Sequence, residues 1–180
     1  MPDKQKQNCT DEHLKDVLQF AQDVQNRNFA NSRTFAKVMS DNPDLCRRLA
    51  ERILGIEMGE VISVITEDDA TQITGRSVRM DAVITGTNEV VEIEMQVEKR
   101  DHLPKRQRYY QAMIDTRYLR KGAEFTDLPR LYMISICRYD EYERGKALYI
   151  FDTSCIDDRS IVHRDDITYV IANTKGNMAD

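Results

Sequence analysis

Two neighbouring stretches of the chain alternate between apolar and polar residues with the period of a β-strand. The stretch Val90–Val97 reads VVEIEMQV and presents apolar side chains on one face. Its other face carries Glu92, Glu94 and Gln96. The stretch Val78–Ile84 reads VRMDAVI and repeats the pattern, with Val78, Met80, Ala82 and Ile84 on its apolar face and Asp81 on the other. We therefore predict two strands, each with one buried face.

The connection between these strands, Thr85–Glu89, contains Gly and Asn and predicts a hairpin. If Thr85 pairs with Val90, the same register sets Asp81 opposite Glu94, with Cβ atoms about 4.5–5.5 Å apart. Carboxylates held that close repel each other, so a purely structural sheet gains nothing from the pair. A divalent cation removes the repulsion, and Mg²⁺ prefers carboxylate oxygens and water as ligands. The register thus predicts a metal site.

The remaining periodicity predicts helices before this hairpin and a helix and strands after it. The earlier elements are a helix from Thr10 to Val24, a helix from Ser32 to Met39, a helix that begins in the turn Asp41–Asp44 and ends at Gly55 or Gly59, the strand Val61–Thr66 and a polar connection, Glu67–Ser77. The later ones are a helix from Asp101 to Lys121 that ends at Gly122, and the strands Leu131–Cys137, Ala147–Phe151 and Ile167–Ile171. The sequence shows no internal repeat and no second domain.

Asp81, followed after the hairpin by Glu94-Met95-Gln96, resembles the core of PD-(D/E)XK nucleases, with Gln in the usual place of Lys. The likeness continues in order through SRTFAKVMSDNPDLCRRLAERILG, VRMDAVI, EIEMQ, KRQRYYQAMID and LRKGAEFTDLPRLYMISIC. This series, within residues 31–176, resembles the PD-(D/E)XK nuclease family transposases, or recombination-promoting nuclease-like proteins. The resemblance implies an α/β fold with an α-β-β-β-α-β core, a central mixed sheet flanked by helices, and extra N-terminal helices. Residues 1–30 would form a polar segment and helix, and residues 177–180 a tail.

The resemblance also implies an activity, a Mg²⁺-dependent DNA endonuclease in which a metal-activated water hydrolyses the phosphodiester, with Mn²⁺ as an alternative metal. Asp81 and Glu94 would bind the metal, together with the backbone carbonyl of Met95. Gln96 would hold the attacking water, although an amide carries no charge and cannot act as a general base. A fourth acidic ligand is expected from the preceding helix, where Glu51 is the first candidate and Glu57 and Glu60 are its rivals. Glu92 lies nearer the turn and is predicted to be solvated.

The segment Lys99–Lys121 carries many more basic than acidic residues. Beside a metal site, such a helix would contact DNA phosphates; the alternative is an ordinary solvated helix. The candidate DNA contacts are Lys105, Arg106, Arg108 and Tyr109. Arg106 and Arg108 are preferred because the resembling family carries arginines in this KRxRYY stretch.

Composition limits the class of protein. The chain has 180 residues and a formal net charge of −5, which argues against a general nucleic-acid coat but allows a local basic groove. It contains no apolar run of the ~18–20 residues that a membrane span needs. Its four cysteines form no CxxC pair, which argues against zinc and for a reducing, cytoplasmic setting. The histidines His13, His102 and His163 form no recognisable ligand set.

Two other interpretations stay open. A nuclease fold that has lost its activity could bind DNA or protein without cleaving. A structural module could dimerise through edge strands within Ala147–Ile171, in which case metal would be irrelevant. A homodimer is compatible with each interpretation.

Overall fold

A mixed sheet of six strands forms the centre of the computed structural model, which describes residues 32–70, 78–100 and 102–176. Its helices are α1 (Ser32–Asp41), α2 (Pro43–Leu54) and α3 (Leu103–Tyr118). Its strands are β1 (Ser63–Ala70), β2 (Val78–Thr85), β3 (Glu89–Gln96), β4 (Arg130–Cys137), β5 (Leu148–Phe151) and β6 (Ile167–Asn173). A 3₁₀ turn, Phe125–Asp127, precedes β4. The predicted helix from Thr10 to Val24 lies outside the described residues.

The strands lie in the order β1-β2-β3-β4-β6-β5. The first three are joined antiparallel, β3, β4 and β6 run parallel, and β5 pairs antiparallel with β6 at the edge. Helix α3 provides the crossover between the parallel strands β3 and β4. This is the α-β-β-β-α-β arrangement that the sequence predicted. Among the helices of the described ranges, none is long and apolar enough to cross a bilayer.

The two faces of the sheet are covered by different helices. On one face, Phe35 of α1 and Ile53 of α2 pack in a cluster that includes Ile93 of β3. On the other face, Tyr110 and Ile114 of α3 pack in a separate cluster with residues of β2, β3 and β4. Because both faces are covered, β4 is buried from its second residue to its last, and so is β3.

The helix boundaries follow local backbone chemistry. Helix α2 has Pro43 in its first turn and ends at Gly55, whose φ of 68° is left-handed and whose N–H donates to the Glu51 carbonyl. Helix α3 ends at Tyr118, so the prediction that it continues to Lys121 is wrong. Gly122 adopts a positive φ in the turn that follows the helix. Strand β1 extends to Ala70 and takes up the first part of the predicted polar connection.

The hairpin between β2 and β3 has the predicted register, with Thr85 opposite Val90. Gly86 donates its N–H to the carbonyl of Glu89, which closes the turn. A Cβ at Gly86 would lie 2.7 Å from Oε1 of Glu89. That carboxylate oxygen also accepts the Gly59 N–H at 3.0 Å. A Cβ at Gly86 would therefore displace the end of the Glu89 side chain and disturb the hydrogen bond that it accepts from Gly59, whereas the backbone conformation itself does not demand glycine.

Candidate active site

The backbone ladder between β2 and β3 ends close to Asp81. Its residue pairs run from Thr85–Val90 to Ala82–Ile93. Beyond this point, the Met95 N–H donates to Oδ2 of Asp81 at 3.0 Å, so a side chain replaces a backbone acceptor. The side-chain alternation also breaks here. Met80, predicted to share a face with Ala82 and Ile84, instead joins the cluster beneath α3.

A cluster of polar side chains lies beneath α3. We call it the carboxylate cluster. Its members are Asp81, Glu92, Glu94 and Gln96, which are 5%, 1%, 8% and 7% exposed. Asp81 comes from β2 and the other three come from alternate positions of β3. The predicted register thus brings Asp81 and Glu94 close enough for their charges to interact. The negative charges of both residues also act on Glu92.

Burial and like charges raise the pKa values of the two glutamates. Burial is the largest cause for Glu94 and raises its pKa to about 7. The positive charge of Arg106 lowers this pKa, the negative charge of Asp81 raises it, and a hydrogen bond with Gln96 lowers it. The pKa of Glu92 is raised well above its usual range by burial, and further by Glu94 and Asp81. Burial and the two neighbouring carboxylates therefore favour the protonated form of Glu92, and Glu94, with a pKa of about 7, is divided between both forms at neutral pH.

The prediction that Glu92 is solvated is wrong. Strand β3 lies between β2 and β4 in the sheet, and α3 covers the face to which Glu92 points. Its Oε1 atom is buried and has no hydrogen-bond partner within the described residues. The central position of β3, next to the continuous apolar run of β4, is the feature of the sequence that could have revealed this burial.

Arg106 is the cation that contacts this cluster. Its Nη2 atom lies 3.0 Å from Oε1 of Glu94, and the side chains of both residues are largely buried. Its guanidinium carbon lies 5.7 Å from the centre of the Tyr110 ring, within the range of a cation–π contact. Nε and Nη2 of Arg106 have no hydrogen-bond partner in the part of the chain that the structure describes. The contact with Glu94 is therefore an ion pair without hydrogen-bond geometry.

The other predicted DNA contacts lie on the outer side of α3. Lys105, Arg108 and Tyr109 are exposed, whereas the helix buries Leu103, Gln107, Tyr110 and Ile114. Sequence reasoning missed Gln107, whose Nε2 donates to Oγ of buried Ser135 at 3.1 Å. Ser135 is the residue of β4 opposite Glu94. Helical spacing could have found Gln107, because it lies four residues after Leu103.

The structure does not bring Glu51 to the carboxylate cluster, which corrects its assignment as a metal ligand. Helix α2 packs against the opposite face of the sheet, in the cluster that contains Val91 and Ile93. Oε1 of Glu51 accepts hydrogen bonds from Arg47 at 2.9 Å and from the Met58 N–H at 3.0 Å. Glu51 therefore stabilises its own helix and the turn that follows. The rivals Glu57 and Glu60 are exposed.

The carboxylate cluster contains oxygen atoms of the kind that divalent cations bind. Asp81 and Glu94 offer hard oxygen ligands, and Glu92 adds a buried oxygen that lacks a partner among the described residues. Backbone N–H and C=O groups of a strand residue point to the same side of the strand, so the Met95 carbonyl is directed towards β2, as its N–H is. The described ranges contain no group of three or more acidic, His or Cys side chains arranged as a metal cage. Such a site would therefore complete its coordination with backbone oxygen and water, as Mg²⁺ commonly does.

A second concave region lies at the other end of β3. This cavity, of about 680 Å³, is bounded by the Thr87–Glu89 turn, Arg130 and Asp166. Two of its carboxylates are engaged, Glu89 by the Gly59 N–H and Asp166 by Arg130 at 3.3 Å. Among the described residues, no titratable group with a large pKa shift lines this cavity. The carboxylate cluster is therefore the better candidate for the active site.

Comparison with known proteins places the chain in a family. No curated protein and no solved structure matches it. The family model of the PD-(D/E)XK nuclease family transposases matches residues 25–173 and so includes every member of the carboxylate cluster. The chain belongs to the PD-(D/E)XK nuclease family transposases.

Proposed function

We propose that the protein is a Mg²⁺- or Mn²⁺-dependent DNA endonuclease, with Asp81 and Glu94 as its metal ligands and Gln96 beside them. The observation that carries this proposal is the burial of two carboxylates from adjacent strands beneath one helix, with the pKa of Glu94 raised to about 7. Perturbed carboxylates of this kind are typical of functional sites. Membership of a nuclease family supports the same conclusion.

In this proposal each residue has a separate task. The Met95 N–H fixes the Asp81 carboxylate, and the Met95 carbonyl adds an oxygen on the same side. Gln96 orients the attacking water through its amide, which neither carries charge nor accepts the proton of that water. A bound divalent cation would polarise the scissile phosphate and lower the pKa of a bound water. Because Glu94 must be ionised to act as a ligand, metal affinity should rise with pH around its pKa of about 7.

DNA would approach along α3. Lys105 and Arg108 are exposed on this helix, on whose inner side Arg106 meets the carboxylate cluster. Such side chains contact phosphates and fix the position of the duplex without reading its sequence. Tyr109 is exposed on the same helix and is available for stacking. In a transposase family, cleavage of this kind would serve DNA recombination.

Plasmid nicking in Mg²⁺ and in Mn²⁺ tests the proposal. Wild type should nick supercoiled DNA, and Asp81→Ala should not, while both proteins bind labelled duplex in EDTA. Glu51→Gln is the matched control, because this acid lies on the helix that covers the opposite face. Nicking that survives Asp81→Ala would refute the assignment of the site.

A nuclease fold without activity is the second candidate. Gln96 in the usual place of Lys favours it, as does the lack of a three-acid metal cage in the described ranges. DNA binding without cleavage in Mg²⁺, Mn²⁺ or any other divalent metal would establish this candidate in place of the first.

A further inference from the structure

Arg106 was predicted to contact phosphate, but its guanidinium contacts Glu94. The Nη2–Oε1 distance is 3.0 Å, and the side chains are 22% and 10% exposed. A guanidinium so close to the carboxylate occupies the position from which a cation would neutralise Glu94. Its positive charge also opposes the raised pKa of that carboxyl group. In this conformation Arg106 is therefore the counterion of the carboxylate cluster.

The environment of Arg106 favours an exchange of partners. Nε and Nη2 have no hydrogen-bond partner within the described residues, so the ion pair leaves donors unsatisfied. The Tyr110 ring, 5.7 Å from the guanidinium carbon, supports the side chain independently of Glu94. Arg106 also lies on the same turn of α3 as exposed Lys105 and two residues before exposed Arg108. A change of its side-chain torsions is therefore the movement by which the guanidinium would reach a duplex bound along Lys105 and Arg108.

We propose that Arg106 is a positioning residue that exchanges Glu94 for a DNA phosphate when a divalent cation binds. This inference rests on the proposed function, since it requires Glu94 to be a metal ligand. Without metal, Arg106 is held by Glu94 and adds little to DNA binding. With metal on Glu94, the carboxylate no longer needs the guanidinium, whose donors become available to a phosphate. Metal and DNA then strengthen each other's binding, and linkage requires the same factor in both directions.

The test measures this coupling without any catalytic step. Fluorescence anisotropy gives the affinity for a labelled duplex in EDTA and in saturating Ca²⁺, and calorimetry gives Ca²⁺ affinity with and without the duplex. For wild type we expect Ca²⁺ to tighten DNA binding within the usual coupling range of about 5- to 150-fold. In Arg106→Gln, the factor by which Ca²⁺ tightens DNA binding should be at least about 5-fold smaller than in wild type.

Arg108→Gln is the matched control, because it removes the same charge from an exposed position on the same helix. It should weaken DNA binding by the same factor in EDTA and in Ca²⁺, and so leave the coupling unchanged. Calorimetry should also show that Arg106→Gln binds Ca²⁺ more tightly than Arg108→Gln does, since only Arg106 competes for Glu94. Equal coupling in the two variants would overturn the proposal.

Two further outcomes are informative. If Arg106→Gln does not fold, Arg106→Lys replaces it, because an ammonium holds a carboxylate less rigidly than a guanidinium does. Ca²⁺ should then tighten DNA binding by a smaller factor in Arg106→Lys than in Arg108→Lys. The same factor in both variants would overturn the inference. If wild type binds neither Ca²⁺ nor Mn²⁺, the proposed metal site itself fails, and the inference fails with it. Metal binding with unchanged coupling in the Arg106 variants would refute the inference alone.

Discussion

The two faces of β3 have the same burial and opposite chemistry. Val91, Ile93 and Met95 point into the apolar cluster beneath α1 and α2. Glu92 and Glu94 point to the other face, beneath α3, and are 1% and 8% exposed. Burying apolar surface stabilises the fold, whereas burying carboxyl groups costs free energy unless each finds a partner. One face therefore contributes apolar burial to the fold, and under the proposed function the other supplies the ligands of a metal site.

The largest expected effect is on cleavage, at Glu94. Glu94→Gln keeps the shape of the side chain but removes the ligand charge, so nicking should fall below detection in Mg²⁺. The fold should persist, because the apolar face of β3 is untouched. Plasmid nicking tests the loss of cleavage, and circular dichroism of the same sample tests whether the fold persists. If Glu94→Gln nicked DNA as wild type does, the assignment of cleavage to the polar face of β3 would be contradicted.

Ile93→Ala should have the largest effect on stability. Ile93 is 0% exposed on the apolar face, and truncation of a buried Ile typically costs about 2–5 kcal/mol through lost burial and the resulting cavity. Urea unfolding measures this loss. DNA affinity under conditions where the variant is folded should remain near that of wild type. If Ile93→Ala lowered the free energy of unfolding by less than Glu92→Gln does, the polar face of β3 would contribute more to stability than the apolar face, contrary to expectation.

The raised pKa of Glu94 predicts a dependence of stability on pH. Its carboxyl group titrates near 4.5 in the unfolded chain and at about 7 in the fold, so between these values the folded state binds more protons. This contribution to stability is complete below pH 4.5 and is lost as the pH rises through about 7. Thermal unfolding from pH 4.5 to 8 should show a smaller decline for Glu94→Gln than for wild type. Glu98→Gln, at an exposed position nearby, should retain the wild-type decline.

Glu92→Gln should have a smaller effect. Burial and the neighbouring carboxylates raise the pKa of Glu92 and favour its neutral form, which an amide of similar shape resembles. We expect the free energy of unfolding to change by less than about 1 kcal/mol at pH 7, since the amide replaces a side chain that already favours the neutral state. At higher pH the variant should become more stable than wild type, which must ionise a buried carboxyl group. A cost like that of Ile93→Ala would show that the polar face is equally structural.

The smallest effect is expected at Glu51. Glu51→Gln weakens an ion pair with Arg47 within one helix, and such pairs contribute about 0.3–0.5 kcal/mol. Calorimetry should find metal affinity unchanged, because the structure does not bring Glu51 to the carboxylate cluster. A large loss of metal affinity would restore Glu51 as a ligand and show that α2 reaches the site.

The sequence predicted the order of elements along the chain and the register of the β2–β3 hairpin, because both depend on local information. The length of the Thr85–Glu89 turn and the alternation of its flanking strands fix which residues pair, so the meeting of Asp81 and Glu94 could be derived. Likewise, Gly55 ends α2 because its left-handed conformation is local. The family resemblance supplied the identity of the fold, which the family match confirms.

The errors arose where tertiary packing decides the outcome. Whether the polar face of β3 is solvated depends on α3, which covers it from a different part of the chain, so Glu92 was misjudged. Helical spacing shows that Arg106 and Arg108 point in different directions but not which one meets Glu94. Glu51 was assigned from family pattern alone, and the face on which α2 packs places it elsewhere.

The central claim is that Asp81 and Glu94 together bind a divalent cation. Calorimetric titration of Mn²⁺ into wild type, Asp81→Asn and Glu51→Gln at pH 8 tests it most directly, because Glu94 is then mainly ionised. We expect one site in wild type, the same affinity in Glu51→Gln, and no measurable binding in Asp81→Asn. Equal Mn²⁺ affinity in all three proteins, or no binding in wild type, would contradict the account.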